Sequence, residues 1–133
     1  MSFKNQTIVI TGAAGNLGSA VAETFYEANA RVVLVDAKAE LLDRRFPDSD
    51  SRYVKVPVNL LQRDMVLSAF AKIQDEHDGI DALCAIAGGF HMGEAVHDTA
   101  TDIWELMNNL NVLTLLNSTA AVVPHMIERG GGK

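Results

Sequence analysis

Gly12, Gly15 and Gly18 follow directly on the apolar, β-branched run Ile8-Val9-Ile10-Thr11. A glycine-rich turn between a strand and a helix gathers bare backbone N–H groups and the positive end of a helix dipole at one point. The chemistry that fits there is that of an anion, and a pyrophosphate fits well. The three glycines serve a tight turn, close approach of backbone to phosphate, and close packing of helix on strand. The second chemical signal is Asp36, 24 residues beyond Gly12, at the end of the apolar run Arg31–Asp36. A carboxylate there accepts both ribose hydroxyl hydrogens of an adenosine and repels a 2′-phosphate, which wants an arginine instead. Lys38 lies close enough to complicate that preference. The plainer roles are a simple turn for the glycines and a helix N-cap for Asp36. Together the two signals predict a dinucleotide site, with NAD preferred over NADP.

These residues need a scaffold, and the hydrophobic pattern supplies one. Strands are expected at Thr7–Thr11, Arg31–Asp36, Tyr53–Val58 and Asp81–Ala87. Helices are expected at Gly15–Ala28, Ala39–Arg45 and Gln62–Glu76, with a last one from Thr101 toward Ala121. Pro47-Asp48-Ser49-Asp50 should break the second helix, and Pro124 should end or kink the last. Alternating strands and helices predict an α/β, Rossmann-type, doubly wound parallel sheet. Right-handed crossovers give the order 3-2-1-4, with the ligand crevice between strands one and four.

Composition narrows the function classes. The 133 residues carry a net charge of −6 with no basic cluster, which argues against nucleic acid as partner. No apolar run is read as long enough to span a membrane, and the N-terminus has no signal-peptide pattern. Cys84 is the only cysteine, so no disulfide framework or cysteine metal cluster is expected. The four histidines show no helical metal-ligand spacing. A reducing cytoplasm is the expected compartment. His91 and His97 are read as surface residues over the crevice mouth, Cys84 as a buried small side chain, and Trp104 as core or interface.

In order and spacing the chain resembles the short-chain dehydrogenase/reductase family over nearly its whole length. The resemblance rests on Thr11-Gly12…Gly18, Asp36, Val56-Pro57-Val58-Asn59-Leu60, Ala87-Gly88, Trp104 with Asn111, and Pro124-His125-Met126 onward. It implies an NAD(P)-dependent oxidoreductase moving a hydride to or from an alcohol or carbonyl substrate. It implies further that Asn16 and Leu17 lie against the pyrophosphate and ribose, and that Asn59 and Leu60 flank the adenine. Ala87 and Gly88 would pass the nicotinamide-side ribose. Asn111 would be the catalytic-site asparagine, whose backbone holds a water in the proton relay. A homo-oligomer paired through the long last helix is also implied.

Four departures qualify the likeness. The TGxxGxxG spacing is that of the branch with larger substrate domains, which opens an alternative as a nucleotide-sugar epimerase or dehydratase relative. Ala85-Ile86-Ala87-Gly88 replaces Asn-Asn-Ala-Gly, and Asn59 replaces an aspartate. Neither Tyr26 nor Tyr53 starts a Tyr-x-x-x-Lys, and the family's catalytic serine belongs to a fifth strand beyond Lys133. The chain is therefore expected to be one cofactor-binding domain, cut before strand five and inactive alone. A complete gene of this length would instead be a non-catalytic NAD(P)-binding module. Apolar cover lost from strand four and from Leu110–Val123 predicts a chain that is poorly stable or self-associating alone.

Overall fold

The computed structural model describes residues 2–47 and 50–133. Strands β1 (Thr7–Thr11), β2 (Arg31–Asp36), β3 (Tyr53–Pro57) and β4 (Ala82–Ala85) form one parallel sheet in the order β3-β2-β1-β4. Helices α1 (Asn16–Glu27), α2 (Ala39–Arg45) and α3 (Arg63–Glu76) alternate with them. After β4 come α4 (Thr101–Asn108), a π-helical turn (Asn109–Leu113) and α5 (Thr114–Glu128). This is the doubly wound arrangement expected from the pattern. The break expected at Pro47–Asp50 lies partly outside the described residues, at Asp48 and Ser49.

Alternation along the central strands divides the core into two layers. Val9, Val33 and Val35 point one way and join Val66, Phe70 and Ile73 of α3 and Val122 and Met126 of α5. Ile8, Ile10, Val32 and Leu34 point the other way and join Ala22 of α1, Leu42 of α2 and Phe46. Residues i and i+2 share a face of a strand, so the middles of β1 and β2, Ile8–Ile10 and Val32–Val35, are apolar because both faces are covered. Each fully buried Val, Ile or Phe contributes about 1.5–3 kcal/mol.

The last helix departs most from expectation. Pro124 lies inside α5, and the helix runs on to Glu128. An interior proline costs roughly 3 kcal/mol. Burial of Val122 and Met126 on either side offsets a loss of that size. The continuous helix Thr101–Glu128 has 28 residues, and its most apolar 18-residue stretch has a mean hydropathy of 1.3, long and apolar enough by length and composition to cross a membrane, against the expectation that no run reaches that length. Its buried side nevertheless carries Thr114, Asn117 and Ser118 beside Val122 and Met126. Leu115, Leu116 and Val123 are exposed, so this helix is buried on one side only.

Strands three and four are shorter than read, ending at Pro57 and Ala85. The β4 edge is not left wholly open. Lys133 donates its N–H to Asp81 O at 3.1 Å and accepts from Leu83 N–H at 2.9 Å, pairing with the start of that edge.

A buried hydroxyl joins the two strand ends that flank the crevice. Thr11 Oγ1 accepts from Ile86 N–H at 3.0 Å and Ala87 N–H at 3.1 Å. Thr11→Val keeps the shape and removes the acceptor. It should destabilise by roughly 1–3 kcal/mol in urea denaturation, with Thr11→Ser closer to wild type. Equal stabilities for the two variants would contradict that role.

Candidate functional site

The loop after β1 shows why glycine is needed at two of its three positions. Gly12 has φ +66°, a left-handed conformation that costs an L-residue about 1–2 kcal/mol. A Cβ on Gly12 would stand 2.9 Å from Ala87 Cα, in the backbone that follows β4. A Cβ on Gly18 would overlap the Gly12 carbonyl oxygen, so α1 can start this close to the loop only with glycine there. Gly15 is less constrained, its Cβ position being 3.3 Å from the Gly12 oxygen. Ala13 N–H donates to Val35 O at 3.1 Å, and Ala14 N–H to Asp36 Oδ2 at 3.1 Å. The loop is thereby pinned to the end of β2.

Helix α1 begins without a side-chain cap and without an acidic residue in its first turn. Helices α2, α3 and α4 carry Glu40, Asp64 and Asp102 in theirs. The first N–H groups of any helix lack intrahelical partners, and an acid nearby partly neutralises the dipole. At α1 no side chain caps the helix and no acid stands in its first turn, and the N-terminus remains a receptor for an outside anion.

A cleft of about 410 Å³ opens at the carboxyl ends of the strands, where the strand order reverses. Gly12, Gly15, Asn16, Leu17 and Gly18 form its floor; Asp36, Asn59 and Leu60 lie to one side, Ala87 and Gly88 to the other. All ten residues singled out for cofactor contact thus line one cleft. Helical spacing puts Leu17 on the apolar stripe of α1, but it is 65% exposed and lies over the cleft instead. Leu60 is the opposite case: its side chain joins the core cluster beside α3. Among the described residues, Asp36 is the only charged one in the lining. Its Oδ1 accepts from Ala37 N–H at 2.8 Å, so the carboxylate holds the β2 end as well as the glycine loop. It does not cap α2, whose N-cap is Lys38. Asn59 Oδ1 accepts from Leu61 N–H at 3.0 Å, turning the chain after β3.

Asn111 stands just outside the lining, within the π-helical turn. Its Oδ1 accepts from Gly89 N–H at 3.2 Å, and its Nδ2 donates to Gly89 O at 2.9 Å and to Met107 O at 2.8 Å. The side chain therefore clasps the strand-four loop from both sides of one residue. π-helical turns are frequent at functional sites. Asn117, by composition a solvent-facing residue, is 1% exposed and donates to Leu60 O at 2.8 Å.

Ala37, Leu61, Ile86, Leu110 and Thr114 also line the cleft, and the sequence reading missed them. Thr114 was recoverable, since it follows Asn111 by three residues on the helix, and Leu110 lies one turn before Thr114. Ala37 carried no signal of its own. Outside the cleft, His91 and His97 approach Glu94 and Asp98 at 3.4 and 3.3 Å on the surface. Cys84 is half-buried, and burial pushes its thiol pKa up, as expected of an unreactive small side chain. Trp104 is 59% exposed and lies outside both core clusters.

Comparison with known proteins gives a consistent picture. The family model described as short chain dehydrogenase matches residues 6–133. The NAD-dependent glycerol dehydrogenase of Listeria innocua is 30% identical over 132 residues, which are 99% of this chain and 52% of that protein. Among solved structures, that of gox2181 aligns with a TM-score of 0.92 at 23% identity, covering 98% of this chain and 52% of its own. The closed form of serine dehydrogenase complexed with NADP+ aligns at 0.88 and 24%, covering 96% and 51%. The chain spans about half the length of the curated relatives it matches.

Proposed function

The chain belongs to the short-chain dehydrogenase family of oxidoreductases, and on that premise we propose that it is the cofactor-binding half of an NAD(P)-dependent enzyme acting on an alcohol or carbonyl. The observation that carries the proposal is the convergence of ten residues from four loops on one cleft over the uncapped start of α1. The N–H groups at Asn16–Gly18 would hold the pyrophosphate, and Asp36 the adenosine ribose. The Asn59–Leu61 segment would flank the adenine, and Ala87-Gly88 the nicotinamide end. Bare backbone at Gly12 and Gly18 leaves the close approach that a phosphate needs. A bound nicotinamide would supply hydride acceptance or donation; the residues of this chain bind and orient it. Asn111 holds the Gly88-Gly89 segment in place, and its main chain is the part left for a proton path. Tyr26 and Tyr53 pack against each other with ring centroids 4.4 Å apart, away from the cleft lining, and supply no acid–base pair. The chain alone binds cofactor and turns nothing over.

Between the cofactors, NAD is the choice that Asp36 supports, since a negative charge in the lining disfavours a 2′-phosphate. The relatives named point both ways, one to NAD and one to NADP+. The epimerase or dehydratase alternative is not favoured by dehydrogenase and reductase relatives. Isothermal titration of the folded chain with NAD and with NADP is the test. Saturable binding with NAD tighter is expected; heat from neither would defeat the reading.

The exposed side of the last helix supports a homo-oligomer. Trp104, Val112, Leu116 and Ile127 are all more than half exposed along it. Large exposed apolar side chains along one helix fit an interface between copies of the chain. Sedimentation should find dimers or larger species; a monodisperse monomer up to high micromolar concentration would contradict this.

A further inference from the structure

The side chain of Asn117 is buried, yet it belongs to no apolar cluster. It faces the turn after β3. Nδ2 donates to Leu60 O at 2.8 Å, and Oδ1 accepts from Arg63 Nη1 at 3.4 Å. Leu60 is the middle residue of the segment Asn59–Leu61, which walls one side of the cleft, and Arg63 follows two residues after it. Asn59 and Leu61 are themselves linked, by the Asn59 Oδ1 bond to Leu61 N–H. Fixing the Leu60 carbonyl therefore fixes the residues on both sides of it. Earlier on the same continuous helix, Asn111 grips Gly89 in a matching way at the other end of the cleft.

We propose that Asn117 is a positioning residue for the adenine end of the cofactor: it holds the Leu60 carbonyl, and through it the Asn59–Leu61 wall, from the helix that also carries Asn111. The assignment rests on the cofactor reading above. A buried carbonyl that loses its donor turns to find another, and this one can do so only by moving the wall. The consequence is confined to one end of the cleft. Asn117 holds the adenine side and Asn111 the nicotinamide side, so the two asparagines have separable effects on a ligand and on its adenine half.

The test compares AMP, which reports the adenine end alone, with NAD. Asn117→Asp keeps the size and the acceptor toward Arg63 but cannot donate to Leu60 O. It should weaken AMP and NAD by the same factor, about tenfold, measured by titration well below the melting temperature. Asn111→Ala should weaken NAD and leave AMP unchanged. Val122→Ala, which destabilises the same buried core without removing a hydrogen bond to the turn, is the matched control and should leave AMP affinity at the wild-type value. The assignment is overturned if folded Asn117→Asp binds AMP as wild type does, or if Val122→Ala weakens AMP equally. Should Asn117→Asp fail to fold, Arg63→Met decides. It leaves the Nδ2 bond in place and should keep AMP affinity within about twofold; a tenfold loss would move the role from Asn117 to Arg63. Wild-type protein that binds neither ligand overturns the cofactor reading, and this assignment with it.

Discussion

Gly12→Ala should abolish dinucleotide binding and cost roughly 2–4 kcal/mol of stability, combining left-handed backbone strain with overpacking. The two contributions separate by comparison with glycines elsewhere in the chain. Gly130 has φ +79° and nothing within 4 Å of its Cβ position, so alanine there meets the backbone term alone, about 1 kcal/mol. Gly131 also has open space and no positive φ, so alanine there should fall within about 0.5 kcal/mol of wild type. Gly12 adds the approach to Ala87 Cα at 2.9 Å, which only a shift of the β1 or β4 loop can relieve. That shift would also strain the Thr11 hydroxyl's bonds to Ile86 and Ala87. Gly18→Ala should be as severe, because it overlaps backbone, and Gly15→Ala mild. Urea denaturation gives the ranking Gly12 ≈ Gly18 > Gly130 > Gly131. A Gly12→Ala protein as stable as Gly131→Ala would show that the loop is not built as described.

Asp36 carries the second large effect, on cofactor choice. Asp36→Asn removes the charge while keeping an oxygen for Ala14 N–H or Ala37 N–H. Charged hydrogen bonds are worth about 1.5–3 kcal/mol, so the NAD-to-NADP affinity ratio should fall by roughly 10–100-fold. Asp36→Ala loses the loop tie as well, so NADP affinity should not improve as far as in Asp36→Asn. A ratio that stays constant across both variants would show that Asp36 serves the loop alone. In that case the carboxylate is a structural clamp between β2 and the glycine turn.

Legibility in the sequence varied from residue to residue, for physical reasons. β1 and β2 were legible because strands covered on both faces are uninterrupted runs of Val, Ile and Leu. The cleft was legible because its floor and two of its walls follow strand ends, and strand ends show in the sequence as apolar runs stopping at Gly, Asp or Asn. The last helix was not. Its π-helical turn at Asn109–Leu113 has no composition of its own, and Pro124 stays helical because tertiary burial outweighs a local penalty. Asn117 reads as a surface residue because asparagine usually is one. Only the fold shows that its partner, Leu60 O, lies 57 positions away in sequence. Leu17 gives two signals, since its helical spacing reads as core while the family resemblance puts it at the cofactor, and it lies exposed over the cleft.

One cleft, at the carboxyl ends of β1, β2 and β4, is held here to take a dinucleotide along its length. Amide NMR shift mapping during NAD titration bears on this without intermediaries. Saturable shifts are expected at four separated segments together: Gly12–Gly18, Asp36-Ala37, Asn59–Leu61 and Ala87–Gly89. Shifts that fail to saturate in a folded sample, or that gather around Lys4, Arg31 and Arg52 at the opposite end of the sheet, would refute it.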